Sequence, residues 1–372
     1  MSPQFEIQLI AVIVAVACAL PGVFLVLRKM SMMSDSITHT ILLGIVLAFF
    51  ITHDLSSPLL IIGAALIGVV TVWLTELLGN TRLLAQDAAI GIVFPLLFSI
   101  AIILITRYAG SVHLDTDSVL LGELAFAPFD RMVVAGIDIG AKAIYTSGIL
   151  LVINLVLIIV FFKELKIATF DPTLAAVLGF APALVHYGLM TLVSLTAVGT
   201  FQAVGSILVV AFMIGPPVTA YLLTDDLKWM LILSGLIGAV NGILGYQGAA
   251  LLDVSIAGSM AVMTGIVFLS VFIFAPRRGL VSALFKRRNQ KIQFAKMTLL
   301  FHLYNHEGSE EEAREAGLDT IQTQLQWDTA FTRHIMALLK KEECIAFTDG
   351  IVKLTDQGRL NSLRNYEALF SK

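Results

Sequence analysis

Charged side chains are scarce in this chain, and their scarcity excludes an ordinary water-soluble domain. Only 14% of the 372 residues are charged, against about 25% in typical soluble domains, whereas 58% are hydrophobic and the mean hydropathy is +0.90. After residue 280 the density of charge rises, since 13 of the 24 basic and 12 of the 27 acidic residues lie there. The composition therefore predicts a membrane domain over 1–280 and a small polar domain over 281–372, neither basic enough to favour nucleic-acid binding.

Motifs for nucleotide hydrolysis are also missing. The chain contains no Gly-Lys dipeptide and therefore no phosphate-binding loop of the Gly-x-x-x-x-Gly-Lys type. It has no nucleophile elbow and no His-Glu-x-x-His. Its two cysteines, Cys18 and Cys344, lie in an apolar run and in the polar part, so we expect no disulfide between them. These absences predict a protein that is not an enzyme and needs no cofactor.

Long apolar runs recur along the first 280 residues. A bilayer-spanning helix needs about 20 such residues, which predicts an all-α polytopic membrane protein with eight to nine spans. The uncertainty lies between Gly199 and Gly215, where a turn or a broken helix is expected. The first run has no basic residue before it and no small-residue cleavage site after it, so it is expected to be a retained helix. The runs cover 5–27, 37–52, 57–79, 88–106, 133–162, 183–202, 204–223, 229–247 and 255–275.

Basic residues between the runs predict the orientation. If nine spans alternate, most of these basic residues fall on one side of the membrane, and the positive-inside rule predicts that this side is cytoplasmic. The N-terminus is then outside and the polar domain is cytoplasmic. The exceptions on the outer side are Arg107 and Arg131. The residues on the inner side are Arg28, Lys29, Arg82, Lys163, Lys166, Lys228, Arg277 and Arg278.

Asp35 and His39 are the most informative ionisable residues in the apolar part. Residues four apart lie on one face of a helix, and a carboxylate with an imidazole suits manganese, zinc or iron. An ionisable residue in a span is a candidate functional site. The alternative is that Asp35 caps the helix while His39 makes a buried hydrogen bond.

Five segments in order carry a resemblance to a known family. Ser34-Asp35-x-x-x-His39 followed by Gly44 resembles the second-span signature of the ABC-3 family, the manganese, zinc and iron permeases. The other four segments lie at Gln86–Phe94, Lys163–Gly179, Gln202–Pro217 and Phe274–Arg278.

This resemblance implies a fold like that of type II ABC importers and a role as permease in a bacterial plasma membrane. It implies that Asp35 and His39 are ligands of a divalent metal on its path. It implies that a cytoplasmic segment meets the ATPase, and that Asp87 helps to hold an inner gate unless it is only a charge at a helix start. The implied partners are an ATP-binding subunit, an extracytoplasmic metal-binding protein and a second copy or a related permease. The coupling residues are Lys163, Glu164, Asp171, Pro172, Ala175 and Gly179.

Three other groups of ionisable residues are weaker candidates. His186 lies just inside a span, where a satisfied buried histidine is favoured over a pathway residue. His113, Asp115 and Asp117 are interpreted as a solvated outer loop. His302 and His306 have the spacing of a metal pair with Glu307 adjacent, but metal sensing there is the less favoured interpretation.

The sequence of the polar domain predicts three helices, a hairpin and a last helix, an order that resembles a winged-helix domain. The helices are expected within 294–303, 310–317 and 325–341, the hairpin turns at Asp349–Gly350, and Thr355 caps the final helix. Two alternatives to metal-ion import stay open. One is import of a metal chelate on the same fold, and the other is a membrane-tethered, metal-responsive regulator that acts through this domain.

Overall fold

The computed structural model describes residues 2–54, 57–81, 83–108, 124–134, 137–309, 312–348 and 351–370. The chain divides into two compact units, Met1–Gly279 and Leu280–Lys372. The division falls one residue from the point at which charge density rises.

The described part of the first unit is mostly helical. In chain order its elements are α1 (Pro3–Leu27), α2 (Ser31–Thr52), α3 (Leu59–Gly79), α4 (Gln86–Tyr108), β1 (Arg131–Val134), β2 (Ile137–Ala141), α5 (Lys142–Val160), α6 (Phe162–Phe170), α7 (Pro172–Val177), α8 (Pro182–Val204), α9 (Ser206–Leu223), α10 (Leu227–Leu252) and α11 (Ile256–Phe274). Nine of these helices, all but α6 and α7, contain a stretch long and apolar enough to cross a bilayer. The predicted polytopic all-α fold is confirmed.

The expected fifth span is shorter than the sequence predicts. Strands β1 and β2 pair antiparallel before α5 begins. Gly140 has a φ of +122°, which a helix does not accept, and its N–H donates to Asp138 at 3.0 Å. The expectation of one helix over 133–162 was therefore wrong in its first third.

The interval between Gly199 and Gly215 holds a junction between two helices. Helix α8 ends at Val204 and α9 begins at Ser206, so Gly205 is the whole link. Its φ of +79° lies in the left-handed region that favours glycine. The two spans are thus separate, and the total of nine candidate spans in the described residues follows.

Helix α1 lies at the centre of the membrane unit. It packs against α5, α8, α9 and α10, and most of its residues from Ile10 onward are buried. Helix α10 runs antiparallel to it, since Gly235 faces Val16 and Gly242 faces Ala11. The ends of the spans therefore sort into two opposite ends of the bundle.

Helix α2 packs closely against α3. A Cβ on Gly44 would lie 2.3 Å from the carbonyl oxygen of Gly63, so the two backbones meet with no room for a side chain. Thr40 lies one turn before Gly44 and accepts a 2.8 Å hydrogen bond from the hydroxyl of Thr71 in α3. The glycine after the Asp35–His39 pair therefore fixes where α2 lies against its neighbour.

The second unit contains α12 (Leu280–His306), α13 (Glu312–Glu315), α14 (Leu318–Leu325), α15 (Thr329–Lys341), β3 (Ile345–Thr348), β4 (Ile351–Leu354) and α16 (Asp356–Phe370). Strands β3 and β4 pair antiparallel. The expected turn at 349–350 lies outside the described residues. The final helix is found where predicted, and the hydroxyl of Thr355 accepts a hydrogen bond from the N–H of Gly358 at 3.1 Å.

The helix expected over 325–341 is found as α15 and begins later, at Thr329, and it is preceded by α14, a helix that the sequence analysis did not predict. Gln326, with a φ of +52°, ends α14, and Asp328 begins α15 by accepting a hydrogen bond from the N–H of Ala330 at 3.3 Å. A cluster that includes Leu299, Ile335 and Val352 packs the helices and the hairpin together. The winged-helix interpretation of this unit remains a prediction.

Candidate metal site and coupling segment

Asp35 and His39 face each other on α2. Oδ1 of Asp35 lies 3.5 Å from Nε2 of His39. The helix begins at Ser31 after Met30, so Asp35 lies inside it and does not cap it. At a rise of 1.5 Å per residue, His39 lies about 12 Å along the helix from its start, about a third of the way along a span of 22 residues.

Two phenylalanines of α4 surround the imidazole of His39. Its ring centroid lies 5.1 Å from that of Phe94 and 5.9 Å from that of Phe98. Asp87 lies about two turns before Phe94, exposed in the first turn of α4. That position stabilises the start of a helix by the macrodipole, and the structure does not bring Asp87 to the pair.

The pair is partly open to its surroundings. The side chains of Asp35 and His39 are 39% and 22% exposed. Within the described residues no third Cys, His, Asp or Glu forms a metal-ligand group with them. The described Cys, His, Asp and Glu side chains therefore offer two ligand atoms at this point.

The predicted coupling segment forms two short helices outside the spans, α6 and α7. Asp171 ends α6 and caps α7, because its side chain accepts a 2.9 Å hydrogen bond from the N–H of Leu174. Pro172 is the first residue of α7, where its fixed φ suits a helix. Gly179 follows with a φ of +86° and turns the chain towards α8. The residues that carry the resemblance thus set the local geometry of this segment.

One face of the coupling segment is apolar and exposed. Leu165, Ala168 and Ala175 are buried, whereas Lys163 and Lys166 are exposed. One carboxylate oxygen of Glu164 is buried and has no hydrogen-bond partner. The large apolar side chains that remain exposed are Phe170 (61%), Leu174 (47%), Val177 (80%) and Leu178 (55%). An apolar patch of this kind outside a span is typical of a docking surface.

A polar network joins the coupling segment to three spans. Arg28, directly after α1, donates to the hydroxyl of Thr169 in α6 at 3.2 Å and to Nδ1 of His186 in α8 at 2.9 Å. Because arginine cannot accept, Nε2 of His186 carries the hydrogen, and it lies 2.5 Å from Glu76 of α3. The hydroxyl of Tyr187 donates to the same carboxylate at 2.8 Å. Burial lowers the pKa of Arg28, an effect that the charge of Glu76 opposes.

Sequence reasoning found only part of this network. His186 is partly buried and its Nδ1 accepts a hydrogen bond from Arg28, but the sequence analysis did not single out Glu76. Its signal was available, since Glu76 is an acidic residue within an apolar run and such residues are rarely neutral in function. Arg28 was interpreted only as a marker of orientation, although it links α1 to Thr169 and His186.

The ion pairs at the two ends of the bundle differ in composition: two arginines share one carboxylate at one end, and one arginine binds two carboxylates at the other. At the end that carries Arg28, both Arg277 and Arg278 pair with Asp225. At the opposite end Arg131 binds the buried Glu6 at 3.1 Å and Asp138 at 2.8 Å. The hydrogen bonds from Arg131 and from the N–H of Gly140 lower the pKa of Asp138. The residues His113, Asp115 and Asp117, expected in an outer loop, lie outside the described part of the chain.

Comparisons with known proteins agree in one family. The family model described as the ABC 3 transport family matches residues 5–275. The manganese transport system membrane protein MntD of Bacillus subtilis (strain 168) is 48% identical over 77% of this chain and 98% of its own length. The zinc transport system membrane protein TroD of Treponema pallidum (strain Nichols) is 43% identical over 95% of this chain and 96% of its own.

The match to TroD covers 353 residues. Because the membrane unit is shorter than that, the match extends into the second unit. A solved structure, PsaBC from Streptococcus pneumoniae in complex with Fab, superposes with a TM-score of 0.62 at 30% identity, over 75% of this chain and 94% of that chain. With nine candidate spans in its described residues and its Ser-Asp-x-x-x-His signature in α2, the chain belongs to the ABC 3 transport family.

Proposed function

We propose that this chain is the permease subunit of an ATP-driven importer for a divalent metal ion, with manganese and zinc as the first candidates. The observation that carries the proposal is the Asp35–His39 pair, two side chains of metal-ligand type 3.5 Å apart in the first half of a span. The names of the relatives, a manganese and a zinc transport protein, support the choice of cargo.

The pair has the chemistry of a transfer point. A carboxylate oxygen and an imidazole nitrogen suit manganese, zinc and iron alike. Two protein ligands bind more weakly than a closed four-ligand site, and a cargo that must leave needs such weak binding. Phe94 and Phe98 border the imidazole and limit access of water from that side.

The exposure of Asp35 supports a second permease copy or a related permease. A carboxylate that is 39% exposed within a span is very costly against lipid. The surface that holds Asp35 must therefore face a water-filled pathway or another protein. Two permeases that place this surface towards each other would enclose the pathway between them.

Energy for transport would come from a separate ATP-binding subunit, because this sequence contains no phosphate-binding loop. The exposed apolar patch of α6 and α7 is its proposed docking surface. From there, the hydrogen bond between Thr169 and Arg28 leads to the start of α2, only three residues after Arg28. Movement of the coupling segment would thus reach the helix that holds Asp35.

The end of the bundle that carries α6 and α7 is inferred to be cytoplasmic. Arg28, Lys163 and Arg278 all lie at that end, and basic residues accumulate on the cytoplasmic side of membrane proteins. If nine spans alternate, the second unit would lie in the cytoplasm and strands β1 and β2 outside. An extracytoplasmic metal-binding protein would deliver its cargo at that outer end.

Metal uptake tests the proposal directly. Cells that express the parent chain, Asp35→Asn or His39→Gln are grown with limiting metal, and metal content is measured by mass spectrometry beside the amount of chain in the membrane. We expect both variants to lower accumulation of one metal by more than about tenfold, because each removes a ligand. The control, His53→Gln at the other end of α2, should match the parent.

Parent-level uptake by Asp35→Asn and His39→Gln would refute the site. If deletion of the gene changes no cellular metal under limitation, the cargo is a chelate or the chain is a membrane-tethered regulator, and the proposal for metal-ion import is wrong.

A further inference from the structure

A second group of metal-ligand side chains lies in the C-terminal unit, far along the chain from Asp35 and His39. His302 and His306 lie one turn apart on α12, with ring centroids 5.0 Å apart. The carboxylate of Glu315, from α13, completes the group. One ligand atom from each residue can be chosen so that all three lie within 4.8 Å of one another. Among the described residues this is the only group of three or more such side chains.

The carboxylate of Glu315 lacks the partners that a buried charge requires. The residue is only 7% exposed, and its Oε2 is buried without a hydrogen-bond partner. It belongs to none of the ion pairs found in the described part of the chain. A buried carboxylate without a partner is costly, and a bound cation would remove that cost. This observation is independent of the spacing of the two histidines.

His302 is held in a manner suited to a ligand. Its Nε2 lies 3.0 Å from the carbonyl oxygen of Glu315, which can only accept, so Nε2 carries the hydrogen and Nδ1 keeps its lone pair. Metal-binding histidines usually donate the other ring N–H to a carbonyl or carboxylate in this way. The same contact fixes α13 against α12 and keeps Glu315 close to the two rings.

The other acids around this pocket are already occupied. Glu307 binds Arg359 at 2.7 Å, and Glu312 accepts a hydrogen bond from the N–H of Gly308 at 2.9 Å. Lys353 also lines the pocket and is exposed. The sequence placed Glu307 beside the histidines, but the fold assigns it to Arg359 and brings Glu315 to the histidines instead.

We propose that His302, His306 and Glu315 form a divalent-metal site in the C-terminal unit, separate from the transport pathway. Two imidazoles and one carboxylate are a ligand set for zinc and its first-row neighbours, with one position left for water. Tetrahedral ligands at about 2.1 Å from zinc lie about 3.4 Å apart, so small side-chain rotations close the present group around an ion. The proposal does not depend on Asp35 and His39.

The test uses the full chain, purified in detergent with its affinity tag removed. The parent for this experiment carries Asp35→Ala and His39→Ala, so that the pair in the membrane contributes no binding. Zinc is added, free ion is removed by desalting, and zinc per chain is measured by mass spectrometry. Cobalt(II) absorption in the visible region reports the ligand environment independently.

We expect the parent to retain one zinc per chain and to give cobalt bands. His302→Ala and His306→Ala should each weaken zinc binding by more than about tenfold, and Glu315→Gln should do the same while keeping the size of the side chain. The matched control is Glu312→Gln, which changes another acid of the pocket and should bind as the parent does. Only variants that elute and show helical circular dichroism like the parent are compared.

Two results would overturn the proposal. The first is a parent that retains no zinc after desalting. The second is unchanged zinc binding in the Glu315→Gln variant and in both histidine variants. Since all proteins in this test lack Asp35 and His39, neither result bears on the proposed transport site.

Discussion

Gly44 allows a direct test of whether helix packing positions the Asp35–His39 pair. An alanine there would place its Cβ 2.3 Å from the carbonyl oxygen of Gly63 and 2.6 Å from the Cα of Ala64. Ordinary contacts of a Cβ begin at 3.4 Å, so the backbones of α2 and α3 must separate by about 1 Å. Both obstacles are main-chain atoms, which cannot rotate away as a side chain could.

A helical glycine elsewhere supplies the matched control. A Cβ on Gly265 of α11 meets no atom within 4 Å. Both substitutions gain helix propensity of about 1 kcal/mol, so this gain cancels between them. The remaining difference reports overpacking, which costs about 1–3 kcal/mol. We therefore expect Gly44→Ala to be less stable than Gly265→Ala by about 1–3 kcal/mol and so to unfold at a lower temperature.

Transport should respond more strongly than stability. Metal coordination tolerates about 0.2 Å of error in ligand distance, whereas the separation of α2 and α3 displaces α2 by several times as much. Metal uptake should fall in Gly44→Ala although Asp35 and His39 are intact, and Gly265→Ala should transport as the parent does. Equal stability and equal uptake in the two variants would refute the role of Gly44 in positioning the pair.

Two further predictions concern the coupling of the spans to the ATP-binding subunit. Glu76→Gln removes the charged acceptor for His186 and Tyr187, and should lower stability by about 1.5–3 kcal/mol and uncouple ATP hydrolysis from uptake. Tyr187→Phe removes one hydrogen bond, so its thermal shift in purified protein should be smaller; a larger shift would contradict this reasoning. Val177→Asp charges the exposed patch of α7 and should abolish co-purification of the ATP-binding subunit without lowering the amount of chain in the membrane. Parent-level co-purification in Val177→Asp would place the docking surface elsewhere.

The sequence was most informative where structure depends on neighbours along the chain. The spans follow from runs of about 20 apolar residues, and the start of α7 follows from Asp171-Pro172. The shared face of Asp35 and His39 follows from helical spacing. Prediction was less successful at boundaries, because Gly140 has a positive φ at the start of an expected helix and Gln326, also with a positive φ, ends α14 where a helix was expected to begin. The composition and hydropathy of a segment do not reveal where one residue adopts a positive φ.

Contacts between distant residues were beyond the reach of the sequence. Arg28, Glu76 and His186 are separated by 48 residues or more, and only the packing of α1, α3 and α8 brings them together. The sequence by itself determined that the chain crosses a membrane and that α2 places a carboxylate and an imidazole on one face, because hydropathy and helical spacing are local properties. Only the tertiary structure decided that Glu315 and not Glu307 faces the histidines of α12, because the choice depends on which carboxylate Arg359 binds and on how α13 folds back on α12.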